Sequence, residues 1–164
     1  VVRYAKGAVP AAIPAVGHIG QTDILSQDPE PEVMVLAVGA MATLGLQVAQ
    51  ELRERGLSCI VVDPRWVKPL DADLLEFASQ LHMVISIEDN GVQGGVGATL
   101  LHELSNLGAS TRVRIHGIAQ EFPVHANRSV LMEQMGLNVP TIANDAVRAL
   151  GLETIGNNEA GELR

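Results

Sequence analysis

Stretches of the chain that are apolar on both faces alternate with stretches that are apolar on one. Val33-Met34-Val35-Leu36-Ala37-Val38 is a continuous apolar run closed by Gly39, as expected of a parallel strand buried on both sides. Met41, Leu44, Val48 and Leu52 then recur at helical spacing. Gly45 lies on the same face, and Gly56 stands just past the helix end. A second strand is predicted from Leu57 to Val62. Asp71 suits the N-cap of a helix from Ala72 to about Leu81, with Leu74, Leu75, Ala78 and Leu81 as its buried stripe. Met83 to Ile87 reads as a third strand. Gly94 to Leu107 reads as a helix that turns Leu100, Leu101 and Leu104 inward and stops at Gly108. Val113 to Ile118 is a fourth strand. Asn127 is placed to cap a short helix ending at Gly136, and Thr141 a last one from Ile142 to Leu150, ending at Gly151.

Strands that alternate with helices at least three times imply an α/β domain: three layers, α/β/α, around a mostly parallel sheet. Residues 8–32 are poorly periodic and hold Pro10, Pro14, Pro29 and Pro31, so they read as a linker with room for a short strand near Ala15 to Gly20. The expected organisation is the end of a preceding domain and a linker over 1–31, a globular domain over 32–151, and a disordered tail over 152–164. The chain opens on Val1, and Val1-Val2-Arg3-Tyr4 resembles the end of a strand, as in a piece of something longer.

Composition narrows the function. At 164 residues the chain suits one domain, and 47% hydrophobic content supplies a core built from Val, Leu, Ile, Ala and Met, since aromatic residues are only 2%. The net charge of -8 and the lack of a basic stripe argue against nucleic acid as a partner. No apolar stretch is long enough to cross a membrane, and the acidic balance fits a cytoplasmic protein. The single cysteine, Cys59, sits inside an apolar run, which excludes a disulfide framework within the chain.

Several groups are candidates for chemistry. Gly91, Gly94, Gly95 and Gly97 follow a strand and open a helix, where free backbone donors can hold a phosphate. The same spacing suits a tight, closely packed turn, and it is neither a dinucleotide fingerprint nor a P-loop. Glu88, Asp89 and Asn90 lie at a strand's carboxyl end, where ligand groups gather in parallel sheets; they equally suit a polar loop that caps the next helix. Between Asp63 and Asp71, Arg65 and Lys68 are available to an anion or an acidic partner and Trp66 to an interface; the alternative is a rigid connection docked on its own domain. His18, His82, His102, His116 and His125 show no metal-ligand spacing, so no metal site is expected. Ser86 and Ser129 lack the context of a nucleophile elbow.

The run Asp63-Pro64-Arg65-Trp66-Val67-Lys68-Pro69-Leu70-Asp71 closely resembles a stretch of the 1-deoxy-D-xylulose-5-phosphate synthases. Further matches follow in the same order: Ile87-Glu88-Asp89-Asn90, Gly94-Gly95-Val96-Gly97, Gly117-Ile118, Glu121-Phe122, His125 and Met135-Gly136-Leu137-Asn138. Val2-Arg3-Tyr4-Ala5-Lys6-Gly7 resembles the family's junction between its middle and last domains. The likeness covers nearly residues 1–150 and extends, more generally, to the C-terminal domain of transketolases.

The resemblance implies a transferase that condenses pyruvate with glyceraldehyde 3-phosphate and releases carbon dioxide. Its product, 1-deoxy-D-xylulose 5-phosphate, feeds isoprenoid, thiamine and pyridoxal synthesis. Thiamine diphosphate would act as the electron sink, with magnesium bridging its diphosphate to protein. The family's Gly-Asp-Gly motif is absent here, and its activating glutamate belongs to the middle domain. The resemblance therefore implies no cofactor, metal or catalytic residue on this chain, which alone would be inactive. One site residue carries over: Arg3 matches an arginine that binds the substrate's phosphate, although Ala5 and Lys6 stand where the family usually has Pro and often Arg. The remaining role would be architectural, with the preceding domains and a homodimer as partners. Two rival readings are a non-catalytic module binding a regulatory ligand or subunit near Gly39, Glu88 and Gly94, and the same domain from another transketolase-like enzyme.

Overall fold

A computed structural model describes residues 11–121 and 125–152. Six strands form one sheet: β1 (Gly17–Ile19), β2 (Thr22–Gln27), β3 (Val33–Ala37), β4 (Cys59–Asp63), β5 (Met83–Gly91) and β6 (Arg112–Ile118). Their order is β1-β2-β4-β3-β5-β6. The four strands β4, β3, β5 and β6 are mutually parallel, and β1 and β2 join antiparallel at one edge.

The helices are α1 (Ala42–Glu54), α2 (Ala72–Ser79), α3 (Val96–Asn106), α4 (Arg128–Gln134) and α5 (Val139–Leu150), with a 3₁₀ turn at Gly39–Met41 before α1. Strand alternation divides the apolar residues into two cores. Val35, Val61 and Ile85 point to one face, where Val48 and Leu52 of α1 meet Ile142 and Ala146 of α5. Met34, Ile60 and Val84 point to the other, covered by Leu74 of α2 with Leu100 and Leu104 of α3. Each of these leucines and isoleucines is fully or almost fully buried, worth roughly 1.5–3 kcal/mol apiece. Gly45 lets α1 approach β3 closely, for a Cβ there would stand 2.5 Å from that of Ala37. The three-layer α/β/α reading holds.

The structure corrects five local expectations, one of them Leu101, which is exposed on α3 instead of turned inward. β1 falls where room for a short strand was left, but the expected linker continues as sheet through β2, because Thr22, Ile24 and Leu25 are buried against β4 and its neighbours. The third strand runs on through Glu88-Asp89-Asn90 to Gly91, and the following helix begins at Val96 instead of Gly94. Asn138, not Thr141, caps the last helix: its Oδ1 accepts from the Thr141 N–H at 2.9 Å, with Pro140 in the first turn. Asn127 occupies the N-cap position of α4 but makes no side-chain cap bond. The expected disordered tail falls, apart from Leu152, outside the described residues.

Candidate functional site

The chain leaves β3 through α1 to β4, then crosses over to β5 on the other side of β3. Ligands of open parallel sheets gather at the carboxyl ends of strands beside such a reversal. Here that place is bounded by Val38, Gly39 and Ala40 after β3 and by Glu88 to Gly91 at the end of β5, where the Val38 N–H donates to the Ile87 carbonyl at 2.9 Å.

Glu88 is 1% exposed and points at the N-terminus of α3. Its Oε2 accepts from the Val96 N–H at 2.8 Å and its Oε1 from the Gly97 N–H at 3.0 Å. The carboxylate therefore occupies the position an external anion would take. The glycines serve this approach. A Cβ on Gly95 would overlap Glu88 and lie 2.6 Å from the Gly91 carbonyl oxygen. One on Gly97 would overlap the Ser86 hydroxyl and lie 2.8 Å from Ile115 Cγ2, and one on Gly117 would lie 2.7 Å from the Asn90 carbonyl oxygen. Of the two readings of the glycine cluster, close packing is the one the geometry supports. Asp89 pairs with Arg128 at 2.7 Å and so ties the end of β5 to the start of α4. Asn90 is exposed.

The Asp63–Asp71 connection is fastened at Asp63, Arg65 and Asp71. Asp63 Oδ1 accepts from the Gly39 N–H at 3.0 Å. Burial pushes the Asp63 carboxyl above its ordinary range, an effect the Gly39 donor partly offsets. Arg65 Nε donates to Asp23 Oδ2 at 2.9 Å, and His18 Nδ1 stands 2.9 Å from Asp23 Oδ1. Asp71 accepts from the Gln21 N–H at 2.9 Å and the Asp73 N–H at 2.9 Å, so it caps α2 and closes the β1–β2 turn with one carboxylate. The Gln21 donor, foremost, holds the Asp71 carboxyl below its ordinary range. Trp66 remains 64% exposed, and Lys68 is exposed beside it.

A second polar cluster escaped the sequence reading. On β6, Arg114 makes a two-pronged contact with Asp145 of α5, both bonds 2.7 Å. Arg148 reaches the same carboxylate at 3.1 Å, and His116 Nε2 lies 3.4 Å from it. Burial raises the Asp145 carboxyl, but Arg114, Arg148 and His116 outweigh it and hold the group below its usual range. Burial likewise holds His116 below the usual imidazole value, with the Asp145 charge opposing. Two basic residues at alternate positions of a strand hint at a shared face; nothing in the sequence links them to an aspartate 31 residues on.

The remaining candidates do not converge. Ser86 is buried beneath Gly97, and Ser129 is exposed in the first turn of α4. Cys59 is buried, with its thiol pushed up to about 12 by burial, and is unreactive on that account. Arg3 lies outside the described residues. Among the described residues, nothing is arranged to hold the thiamine diphosphate and magnesium implied by the resemblance: the glycine-rich start of α3 is taken by Glu88, and no group of three or more His, Cys, Asp or Glu is placed to hold a metal. No helix among them is long and apolar enough to cross a membrane.

The fold is thus a mostly parallel α/β/α domain in which the N-terminus of α3 is occupied by the Glu88 carboxylate. Residues 20–142 match the family described as "Transketolase, C-terminal domain", and the chain belongs to that family. It is 44% identical over 149 residues to 1-deoxy-D-xylulose-5-phosphate synthase 2 of Kitasatospora griseola, covering 87% of this chain and 24% of the relative. The 1-deoxy-D-xylulose-5-phosphate synthase of Frankia casuarinae is 40% identical over 154 residues, covering 92% of this chain and 24% of the relative. The chain thus spans about a quarter of the length of the curated relatives it matches. Among solved structures, a split-gene transketolase described as an inactive beta4 tetramer superposes with a TM-score of 0.71 at 26% identity, covering 84% of this chain and 44% of that one. The transketolase of Campylobacter jejuni, at 20% identity and a TM-score of 0.59, shares the fold; that match covers 84% of this chain and 20% of that one.

Proposed function

We propose that this chain is the C-terminal domain of a 1-deoxy-D-xylulose-5-phosphate synthase, which joins pyruvate to glyceraldehyde 3-phosphate with loss of carbon dioxide. The observation that carries the reading is the run of synthases 40–44% identical over most of the chain. Thiamine diphosphate and magnesium bind to the domains that precede this one, and the complete enzyme is a homodimer in the cytoplasm. The domain's own part is architectural. Glu88, Asp71 and Asp63 spend their carboxylates on its backbone, which supports a role in holding shape.

Arg3 is the one residue proposed to touch substrate, through the phosphate of glyceraldehyde 3-phosphate. Losing a charge-assisted contact of about 1.5–3 kcal/mol corresponds to a KM for that aldehyde raised roughly 10- to 150-fold. The test is Arg3→Ala in the complete enzyme, with KM measured for both substrates. The expected result is a rise for glyceraldehyde 3-phosphate with little change for pyruvate. An unchanged KM for the aldehyde refutes the role of Arg3.

A further inference from the structure

We infer that the cleft at the amino ends of β3, β5 and β6 is a binding site for an apolar α-amino acid of about leucine's size. Three adjacent parallel strands build its rim. Val33 of β3 lies in register with Met83 of β5, and Met83 with Arg112 of β6. Glu32 and His82 stand one residue before Val33 and Met83. The main chain fixes all three rim residues. The Glu32 N–H donates to the Ser58 carbonyl at 3.0 Å, the His82 N–H to the Glu32 carbonyl at 3.1 Å, and the Arg112 N–H to the His82 carbonyl at 3.1 Å. A rim held in place before a ligand arrives loses little freedom on binding it.

The cleft encloses about 310 Å³. Ligand pockets start at about 300 Å³, so this one has room for a small metabolite. Leu57, Leu150 and Leu152 give it an apolar floor, and Leu152 is left 53% exposed. Covering that surface with an apolar body is favourable. The rim carries two opposite charges that do not meet. Neighbouring strands lie about 4.8 Å apart, so the main chains at Glu32 and Arg112, with β5 between them, are about 10 Å apart. Among the described residues the Arg112 guanidinium has no hydrogen-bond or ion-pair partner. Glu32 Oε2 accepts from the Ser58 hydroxyl at 3.3 Å, and His82 Nδ1 lies 3.7 Å from Oε1, too far for a hydrogen bond. A cation and an anion held apart over an apolar floor match a ligand with both charges on one carbon and an apolar branch. Its carboxylate takes the Arg112 fork, its ammonium donates to Glu32, and its side chain covers the leucines. A simple anion would be repelled by Glu32 and a simple cation by Arg112, so the rim selects the zwitterion. The inference stands apart from the proposed reaction, and its test does not use that reaction.

The probe is L-leucine, titrated to about 20 mM into the nitrogen-labelled 164-residue chain while its amide resonances are followed by NMR. The expected result is a set of saturating shifts at the amides around Glu32, Leu57, His82, Arg112 and Leu150, with a Kd of about 1 mM or tighter. Three analogues test the recognition without any substitution. 4-Methyl-2-oxopentanoate lacks the ammonium, 3-methylbutylamine lacks the carboxylate and glycine lacks the apolar branch. Each is expected to bind at least about tenfold more weakly than leucine. Arg112→Gln and Glu32→Gln, both on the rim, should each weaken leucine by a similar factor while the remaining resonances stay in place. No shift at the highest leucine concentration overturns the proposal. So do shifts that fall elsewhere in the domain, an oxo acid or amine that binds as well as leucine, or a Kd that neither substitution changes.

Discussion

Replacing Glu88 by Gln tests the claim that the N-terminus of α3 is closed by the protein itself. The wild-type carboxylate is 1% exposed and accepts two backbone N–H groups at 2.8 and 3.0 Å, at the positive end of the α3 dipole. Hydrogen bonds to a charged group contribute about 1.5–3 kcal/mol each. A glutamine in the same rotamer keeps one acceptor oxygen and sets an NH₂ group against the other N–H. One bond is lost, a donor is left buried without a partner, and about 0.3–1 kcal/mol of dipole attraction goes with it. The lower desolvation cost of the neutral side chain returns part of this, leaving a net loss of about 3 kcal/mol. For a chain of this size each kcal/mol moves the midpoint by roughly 2–4 °C, so the melting temperature falls by about 6–12 °C. Urea unfolding of both proteins, followed by circular dichroism at neutral pH, measures the difference. A loss under about 1 kcal/mol would refute the reasoning and leave the α3 N-terminus open to an outside anion.

Gly97→Ala should destabilise the fold by about 1–3 kcal/mol, since the added methyl has no room between Ser86 and Ile115; equilibrium unfolding checks it. Gly45→Ala is expected to destabilise as well, despite the helix-propensity gain of about 1 kcal/mol, because α1 would be pushed off Ala37; a more stable variant contradicts the packing. His116 provides a pH test. Its folded-state pKa lies below the ordinary 6.5, so its contribution is complete above that value and is lost as pH falls through the folded pKa. The melting temperature should therefore drop as pH falls below about 6.5, and His116→Gln should flatten that part of the profile. Asp145→Asn leaves Arg114 without its two-pronged partner; because Arg114 is partly exposed, the cost is about 2 kcal/mol, less than for a fully buried pair, and measurable by urea unfolding.

The apolar runs at Val33–Ala37, Cys59–Val62 and Met83–Ile87 revealed the parallel sheet because strands buried on both faces leave no other pattern. β2 stayed hidden because Asp23, Ser26 and Gln27 interrupt its apolar residues. Those polar groups meet partners far along the chain: Arg65 for Asp23 and Arg53 for Ser26. Polar residues placed by tertiary contact look like loop in one dimension. Asn138 and Thr141 are both competent caps, and only the backbone geometry at Asn138 decides between them. At the candidate site, the strand-to-helix position of Glu88 was legible in sequence, and so was capping as one of its two readings. That its carboxylate takes two bonds and leaves no anion slot depends on how close Gly95 and Gly97 let α3 come, which is a matter of distances. The Arg114–Asp145–His116 cluster joins elements 31 residues apart and left no local trace.

The central proposal is that this chain is the C-terminal domain of a larger synthase whose chemistry lies in its other domains. Its most direct test is to express the complete reading frame containing this sequence, alongside the 164-residue chain alone. Each is assayed with pyruvate, glyceraldehyde 3-phosphate, thiamine diphosphate and magnesium. The account predicts that the complete protein releases carbon dioxide and forms 1-deoxy-D-xylulose 5-phosphate, and that the isolated chain does neither. A complete protein that consumes neither substrate, or an isolated chain that forms the product, contradicts it.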